Sequence, residues 1–205
     1  IRDVERSRGL GDVYKRQNNN GIISGNKEKI NPLVYLRETE LTKADSGIKR
    51  FVSKLLLKNK RKTKLSFAHS LNSSIYDYIE YSSGTSDIST PAKDIYNSRK
   101  GVCQDFAHLM ISSSVYAGIP ARYVMGYFLP ENTDTEATHA WVELYFKNVG
   151  WIAFDPSNNT STNERYLRIC SGFDSISAAP IKGVAVGSSD EELDVKVYVQ
   201  QIPQQ

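Results

Sequence analysis

Apolar residues recur at helical spacing twice in the first half of the chain. Ile48, Phe51, Val52, Leu55 and Leu56 fall three and four residues apart, which predicts a helix over Ser46 to Lys60. Phe67, Leu71, Ile75, Tyr78 and Ile79 repeat that spacing and predict a second over Ser66 to Tyr81. A Ser/Gly/Asp stretch from Ser82 to Ser89 reads as a loop. Thr90-Pro91 then opens a short helix, with Thr90 as N-cap and Pro91 at the first helical position, ending near Lys100-Gly101. A fourth, amphipathic helix is predicted from Cys103 to about Ala117, with Phe106, Leu109, Met110 and Ser113 on one face. Gly118 closes it and Pro120 blocks any continuation.

Beyond Pro120 the spacing changes to the alternation of strands. Ala121 to Leu129 carries Tyr123, Met125 and Tyr127 on one side. Thr138 to Phe146 sets His139, Trp141, Glu143 and Tyr145 against Ala140, Val142, Leu144 and Phe146. Lys147 to Gly150 is a turn, and Trp151 to Phe154 is a strand that ends at Asp155. Antiparallel pairing through that turn brings His139 and Asp155 to the same sheet edge, with the start of the Cys103 helix packed against it. Leu193 to Gln201 is the last predicted strand. At the other end, Asn18 to Asn26 is rich in Asn and Gly and reads as disordered. The first 17 residues, IRDVERSRGLGDVYKRQ, are polar, lack periodicity and resemble a translated adaptor. The expected organisation is an adaptor-like segment at 1–17, with the native N-terminus missing. A disordered linker at 18–30 and one domain at 31–205 follow.

Composition narrows the function classes. A chain of 205 residues holds one domain with a sizeable core, and 40% hydrophobic with 24% charged residues is ordinary for a globular protein. A net charge of +3 is too small to argue for a nucleic-acid partner. The basic run between 49 and 64 reads as a solvated helix face and turn. No apolar run reaches the length of a membrane span, so no membrane partner is expected. No signal peptide is evident. Two cysteines, Cys103 and Cys170, do not form a disulfide framework, and a free reactive thiol suits a reducing, cytoplasmic location. Cys170 is expected to pack as a small apolar residue on a strand. Oligomeric state is left open.

The candidate chemistry rests on three residues in well-marked contexts. Cys103 lies in Gly101-Val102-Cys103-Gln104-Asp105, His139 in Thr138-His139-Ala140-Trp141, and Asp155 in Phe154-Asp155-Pro156. Unpaired N–H groups at a helix start favour a thiolate there. An imidazole can take the thiol proton and return it to a leaving amine, and a carboxylate on its far nitrogen orients the ring. Gln104 and Trp141 are candidates for the oxyanion pocket or the site wall; the Cys103 backbone N–H is the favoured oxyanion donor, with the second donor open. His108 reads as a packed or hydrogen-bonded helix residue. Asp105, in the first turn, reads as a structural anchor, because its charge would oppose a neighbouring thiolate. One thiol with scattered histidines lacks zinc-ligand spacing, and no acidic cluster has calcium spacing, so no metal and no cofactor are expected.

The segments GVCQDFAHLM, GIPARYVMGYF, THAWVEL and GWIAFDPSNN, together with GFDSISAAPIKGVAVG, resemble the bacterial branch of the transglutaminase-like superfamily of papain-like cysteine enzymes. The likeness runs from about Asn31 to Ile202. It implies an α+β fold with a papain-like, transglutaminase-like core, in which the helix bearing the nucleophilic Cys packs on an antiparallel sheet. It also implies a triad of Cys103, His139 and Asp155 and acyl transfer at a peptide or protein amide. Hydrolysis is the favoured outcome. Transfer of a glutamine acyl group to an amine and a non-catalytic binding module are the alternatives. A first prediction follows from thiolate chemistry. Iodoacetamide should label Cys103 faster than Cys170 at neutral pH, and peptide mass spectrometry on folded protein showing equal or inverted rates would remove Cys103 as the nucleophile.

Overall fold

Capping side chains set where the first helices begin. A computed structural model of the protein describes residues 21–23, 30–129 and 138–179; the predicted strand at Leu193 to Gln201 lies outside them. Asp45 caps α1 (Ser46–Lys58), its carboxylate accepting from the Ile48 N–H at 2.8 Å. The α2 helix (Lys64–Tyr78) starts two residues before the apolar spacing predicts, because Thr63 caps it and accepts from the Ser66 N–H at 3.1 Å. After α2 the chain turns extended, and Glu80–Tyr81 forms β2.

The third helix differs from expectation at its start. α3 spans Ala92–Ser98 with Pro91 at the N-cap and no side-chain cap. Thr90 is not the cap: its hydroxyl accepts from the Asp87 N–H at 2.9 Å, inside the preceding turn. The Asp87 carboxylate gathers the Ser89 N–H at 2.7 Å and the Ser89 and Thr90 hydroxyls, and so holds Thr90 toward the loop. Arg99 ends α3 in the left-handed conformation, and Lys100–Gly101, β3, pairs in parallel with β2, placing Gly101 opposite Tyr81.

The helix α4 (Cys103–Tyr116) is not amphipathic as the sequence suggested. Every residue from Asp105 to Ser114 is buried. The reason is its central place: α1, α2 and α3 pack on one side of it and the sheet on the other. A helix covered all round has no solvent stripe to display. The glycine stop is as expected, with Gly118 at φ +71°.

The sheet is antiparallel. Its strands are β1 (Ile22–Ile23), β4 (Ala121–Phe128), β5 (Thr138–Phe146), β6 (Gly150–Asp155), β7 (Thr160–Ser161) and β8 (Tyr166–Gly172). The order is β1-β6-β5-β4-β8, with β7 also paired to β6. Ile22 and Ile23 therefore belong to the sheet, opposite Ile152 and Trp151, and not to a disordered linker. Two β-branched residues beside an unpaired strand edge account for the difference. On β5 the expected alternation appears: Ala140, Val142, Leu144 and Phe146 join the core under the helices, while Trp141 joins Val124, Ala153 and Tyr166 in a second cluster. Glu143, 1% exposed, accepts from Arg122 Nε at 2.5 Å and Arg168 Nε at 3.0 Å, so this buried charge is paired. Among the described residues no helix is long and apolar enough to cross a membrane.

The β4–β8 register shifts between Met125 and Gly126, where a bulge brings the β8 backbone close. A Cβ on Gly126 would overlap the Leu167 carbonyl and press on the Trp141 ring. Gly126→Ala should therefore destabilise the protein by about 1–3 kcal/mol through overpacking, read as a lower urea midpoint. An unchanged midpoint would show that β8 yields freely at this point.

Candidate active site

Cys103 is the first residue of α4, and the path leading to it is set by a buried carboxylate. Val102, the N-cap, is extended, and its N–H donates to Asp105 Oδ2 at 2.7 Å. The same oxygen accepts from the Ser86 hydroxyl. Asp105 lies against Gly101, where a Cβ would fall 2.7 Å from Asp105 Oδ2. Glycine is required there for space, since Gly101 is not among the residues with positive φ. Burial raises the Asp105 carboxyl above its ordinary pKa, while the bonds from Ser86 and Val102 oppose that shift. The anchor role expected for Asp105 matches this geometry.

His139 is the second residue of β5, and Asp155 is the last residue of β6. Register pairs Val142 with Phe154, so both residues lie at one end of the sheet. His139 Nε2 meets Asp155 Oδ2 at 2.7 Å, which leaves Nδ1 free of that bond, and Cys103 lines the same cavity as the ring. Burial pushes the His139 ring toward neutrality, but the bonds and charges of Asp155 and Cys103 outweigh it and raise the pKa to about 9.

Asp155 is fully buried and surrounded by donors. Oδ1 accepts from the Ser157 N–H at 3.0 Å, the Ser157 hydroxyl at 2.7 Å and the Asn158 N–H at 3.3 Å. Oδ2 accepts from Asn158 Nδ2 at 2.7 Å and the Tyr166 hydroxyl at 2.8 Å, besides His139. Burial alone would raise this carboxyl; His139, Asn158 and Ser157 hold it below the ordinary range. Sequence reasoning missed these supports. The Asp-Pro-Ser-Asn run after Asp155 is a signal for such a turn, whereas nothing local marks Tyr166.

The other candidates fall in different places. Gln104 lines the cavity beside Cys103, but its amide donates to the Asp87 carbonyl at 3.2 Å. Trp141, 1% exposed, stacks behind the imidazole with ring centroids 6.2 Å apart, so it supports His139 from behind. His108 is buried, and its Nε2 accepts from the Ser175 N–H at 3.1 Å. Burial lowers the His108 pKa to about 4, which keeps the ring neutral and able to accept. Burial also raises the Cys170 thiol, which donates to the Ala178 carbonyl at 2.6 Å. Tyr81 is the residue at the site that sequence reasoning passed over. The β2–β3 pair holds it at the cavity mouth, with its hydroxyl beside the Cys103 backbone N–H. A two-residue parallel pair leaves no periodic signal.

Tyr81, Cys103, Gln104 and His139 border a cavity of about 430 Å³. Among the described residues, no group of three or more His, Cys, Asp or Glu is placed to hold a metal ion. A cysteine-bearing helix start over an antiparallel sheet that presents a His–Asp pair defines a papain-like α+β protein. Residues 52–156, just over half of the chain, match the transglutaminase-like superfamily, and the chain belongs to that superfamily. The matched span contains Cys103, His139 and Asp155.

The chain is also similar to individual proteins. It is 35% identical over 127 residues to "Uncharacterized protein ML0607" of Mycobacterium leprae, covering 59% of this chain and 45% of that one. Against Rv2569c of Mycobacterium tuberculosis it is 34% identical over 141 residues, covering 63% and 45%. The chain thus spans about half the length of the curated relatives it matches. Among solved structures, "a Putative Cysteine Protease" from Cytophaga hutchinsonii superposes with TM-score 0.62 and 26% identity, over 80% of this chain and 54% of that one. The periplasmic domain of TgpA from Pseudomonas aeruginosa shares the fold, with TM-score 0.50 and 20% identity over 64% and 49%.

Asp155 variants separate support from charge. Asp155→Ala leaves the donors of His139, Ser157, Asn158 and Tyr166 without their acceptor, and should destabilise by about 3–5 kcal/mol. Asp155→Asn retains one acceptor oxygen and should cost less. Urea denaturation that ranks the two variants equally would show that the donors find other partners.

Proposed function

We propose that the protein is a cysteine-dependent amide hydrolase in which Cys103 is the nucleophile, His139 its acid–base partner and Asp155 the orienting carboxylate. The observation that carries this reading is the buried Asp155–His139 hydrogen bond at 2.7 Å, with the His139 ring and Cys103 lining one cavity. With its pKa raised to about 9, His139 is protonated at neutral pH and can stabilise a Cys103 thiolate. The thiolate attacks the amide carbonyl. The imidazolium then gives its proton to the leaving amine, and a thioester remains on Cys103. Water attacks the thioester, His139 takes its proton, and the acid leaves.

Negative charge builds on the carbonyl oxygen during both attacks. In this reading the Cys103 N–H and the Tyr81 hydroxyl, both at the cavity, are the two donors that receive it. Tyr81 is the donor we assign to the second position, which the sequence left open. An amine in place of water would give acyl transfer. The Asp155–His139 hydrogen bond beside a cavity-lining thiol favours turnover over a binding module.

The test is turnover of blocked peptide amides, with mass spectrometry for an acyl group on Cys103. Cys103→Ala should abolish both signals, and undiminished hydrolysis by that variant would sink the proposal. Tyr81→Phe should lower kcat by roughly 10²-fold with little change in KM. The alkaline limb carries a definite sign. The raised His139 pKa keeps the imidazolium present through neutral pH, and it is lost as pH rises through about 9. kcat/KM should therefore fall above about pH 9, and the fall should move to lower pH in Asp155→Asn. A limb that stays in place in that variant would detach His139 from it.

A further inference from the structure

The cavity wall beside Cys103 is built from a strap whose consecutive residues are each tied to another element. The Ser86 hydroxyl donates to Asp105. The Asp87 carbonyl accepts from Gln104 Nε2 at 3.2 Å. The Ile88 carbonyl accepts from the Ser175 hydroxyl at 3.2 Å, and the Ser175 N–H is itself held by His108. Three residues of the nucleophile helix, Gln104, Asp105 and His108, thus set the position of residues 86–88, two directly and one through Ser175.

The clasps act on backbone or on Ser86, and leave one side chain unused. Ile88 is 60% exposed although it lines the cavity. A large aliphatic side chain held in place and wet is a preformed contact for an apolar group, because its burial is favourable and the cost of ordering it is already met. Its surroundings agree: Tyr81, Val102, Met125, Ala140 and Ala179 share the cavity, and apart from Cys103 and His139 its described lining has no ionisable group but two tyrosines. Against this described lining a charged substrate side chain would lose its hydration without gaining a counter-charge.

We infer that Ile88, presented by this clasped strap, is a specificity-determining residue that selects an uncharged, apolar side chain beside the scissile amide. The inference rests on the amide-hydrolase reading for its substrate class. It is tested by binding, so the two can fail separately.

The 205-residue chain carrying Cys103→Ala is titrated at millimolar concentrations with acetyl-Gly-X-Gly-amide, where X is Leu, Gln, Glu or Lys. Chemical-shift changes report Kd. The Leu peptide should bind about tenfold or more tighter than the Glu and Lys peptides, with Gln between. Adding Ile88→Ala should weaken the Leu peptide about tenfold and leave the Glu peptide within about twofold. Ile88→Lys should raise the Glu peptide above the Leu peptide. Circular dichroism confirms folding, which an exposed side chain should not control. Preference for Gln or for a charged residue, equal weakening of all four by Ile88→Ala, or no binding of any peptide would overturn the inference. Selective Leu binding with no turnover by the wild-type protein would uphold the pocket and overturn the hydrolase reading.

Discussion

The Asp155 carboxylate is the constraint around which the candidate site is organised. A buried charge is tolerated only when its oxygens are satisfied, and Asp155 has six donors within hydrogen-bond distance. Those donors come from β5, from the turn after β6 and from β8. Satisfying one side chain therefore ties three pieces of the sheet end together and fixes the His139 ring in the same act. Trp141 behind the ring and Tyr166 below it complete the support. The stable arrangement of the carboxylate is also the one that turns the imidazole toward the thiol.

Cys103 depends on a second buried carboxylate. Asp105 holds the Val102 N–H at the start of α4 and needs the space that Gly101 leaves. The two carboxylates are held differently. Asp155 is saturated and its pKa is lowered, whereas Asp105 has an oxygen without a partner and its pKa is raised. An ionised Asp105 opposes a thiolate two residues away, whereas Asp155 acts through the imidazole between them. One residue thus serves both as the anchor of the α4 start and as the clasp on Ser86.

The histidines show how surroundings decide chemistry. His139 and His108 are both largely buried, yet their pKa values move in opposite directions, to about 9 and about 4. His139 faces a carboxylate and a thiol, which reward protonation. His108 faces a backbone N–H, which requires a neutral acceptor nitrogen. One ring is equipped to give a proton at neutral pH, and the other to fix the Ser175 loop.

The chain's own pattern determined much of this. The period of apolar residues marked the helices and the β4–β6 strands, and Cys103, His139 and Asp155 stood in contexts specific enough to single out before any geometry was known. Local chemistry decides such features: caps, turn residues and alternation act over a few neighbours. The tertiary structure decided what depends on distant partners. Thr90 lost the capping role because Asp87 holds its hydroxyl, α4 is buried all round because elements pack on both sides of it, and Ile22–Ile23 joined a strand edge more than a hundred residues away. Tyr81 and Tyr166 reach the site through sheet pairing, and Gln104 turned to the Asp87 carbonyl. None of these leaves a local signal, because a hydrogen bond across the fold has no period in the sequence.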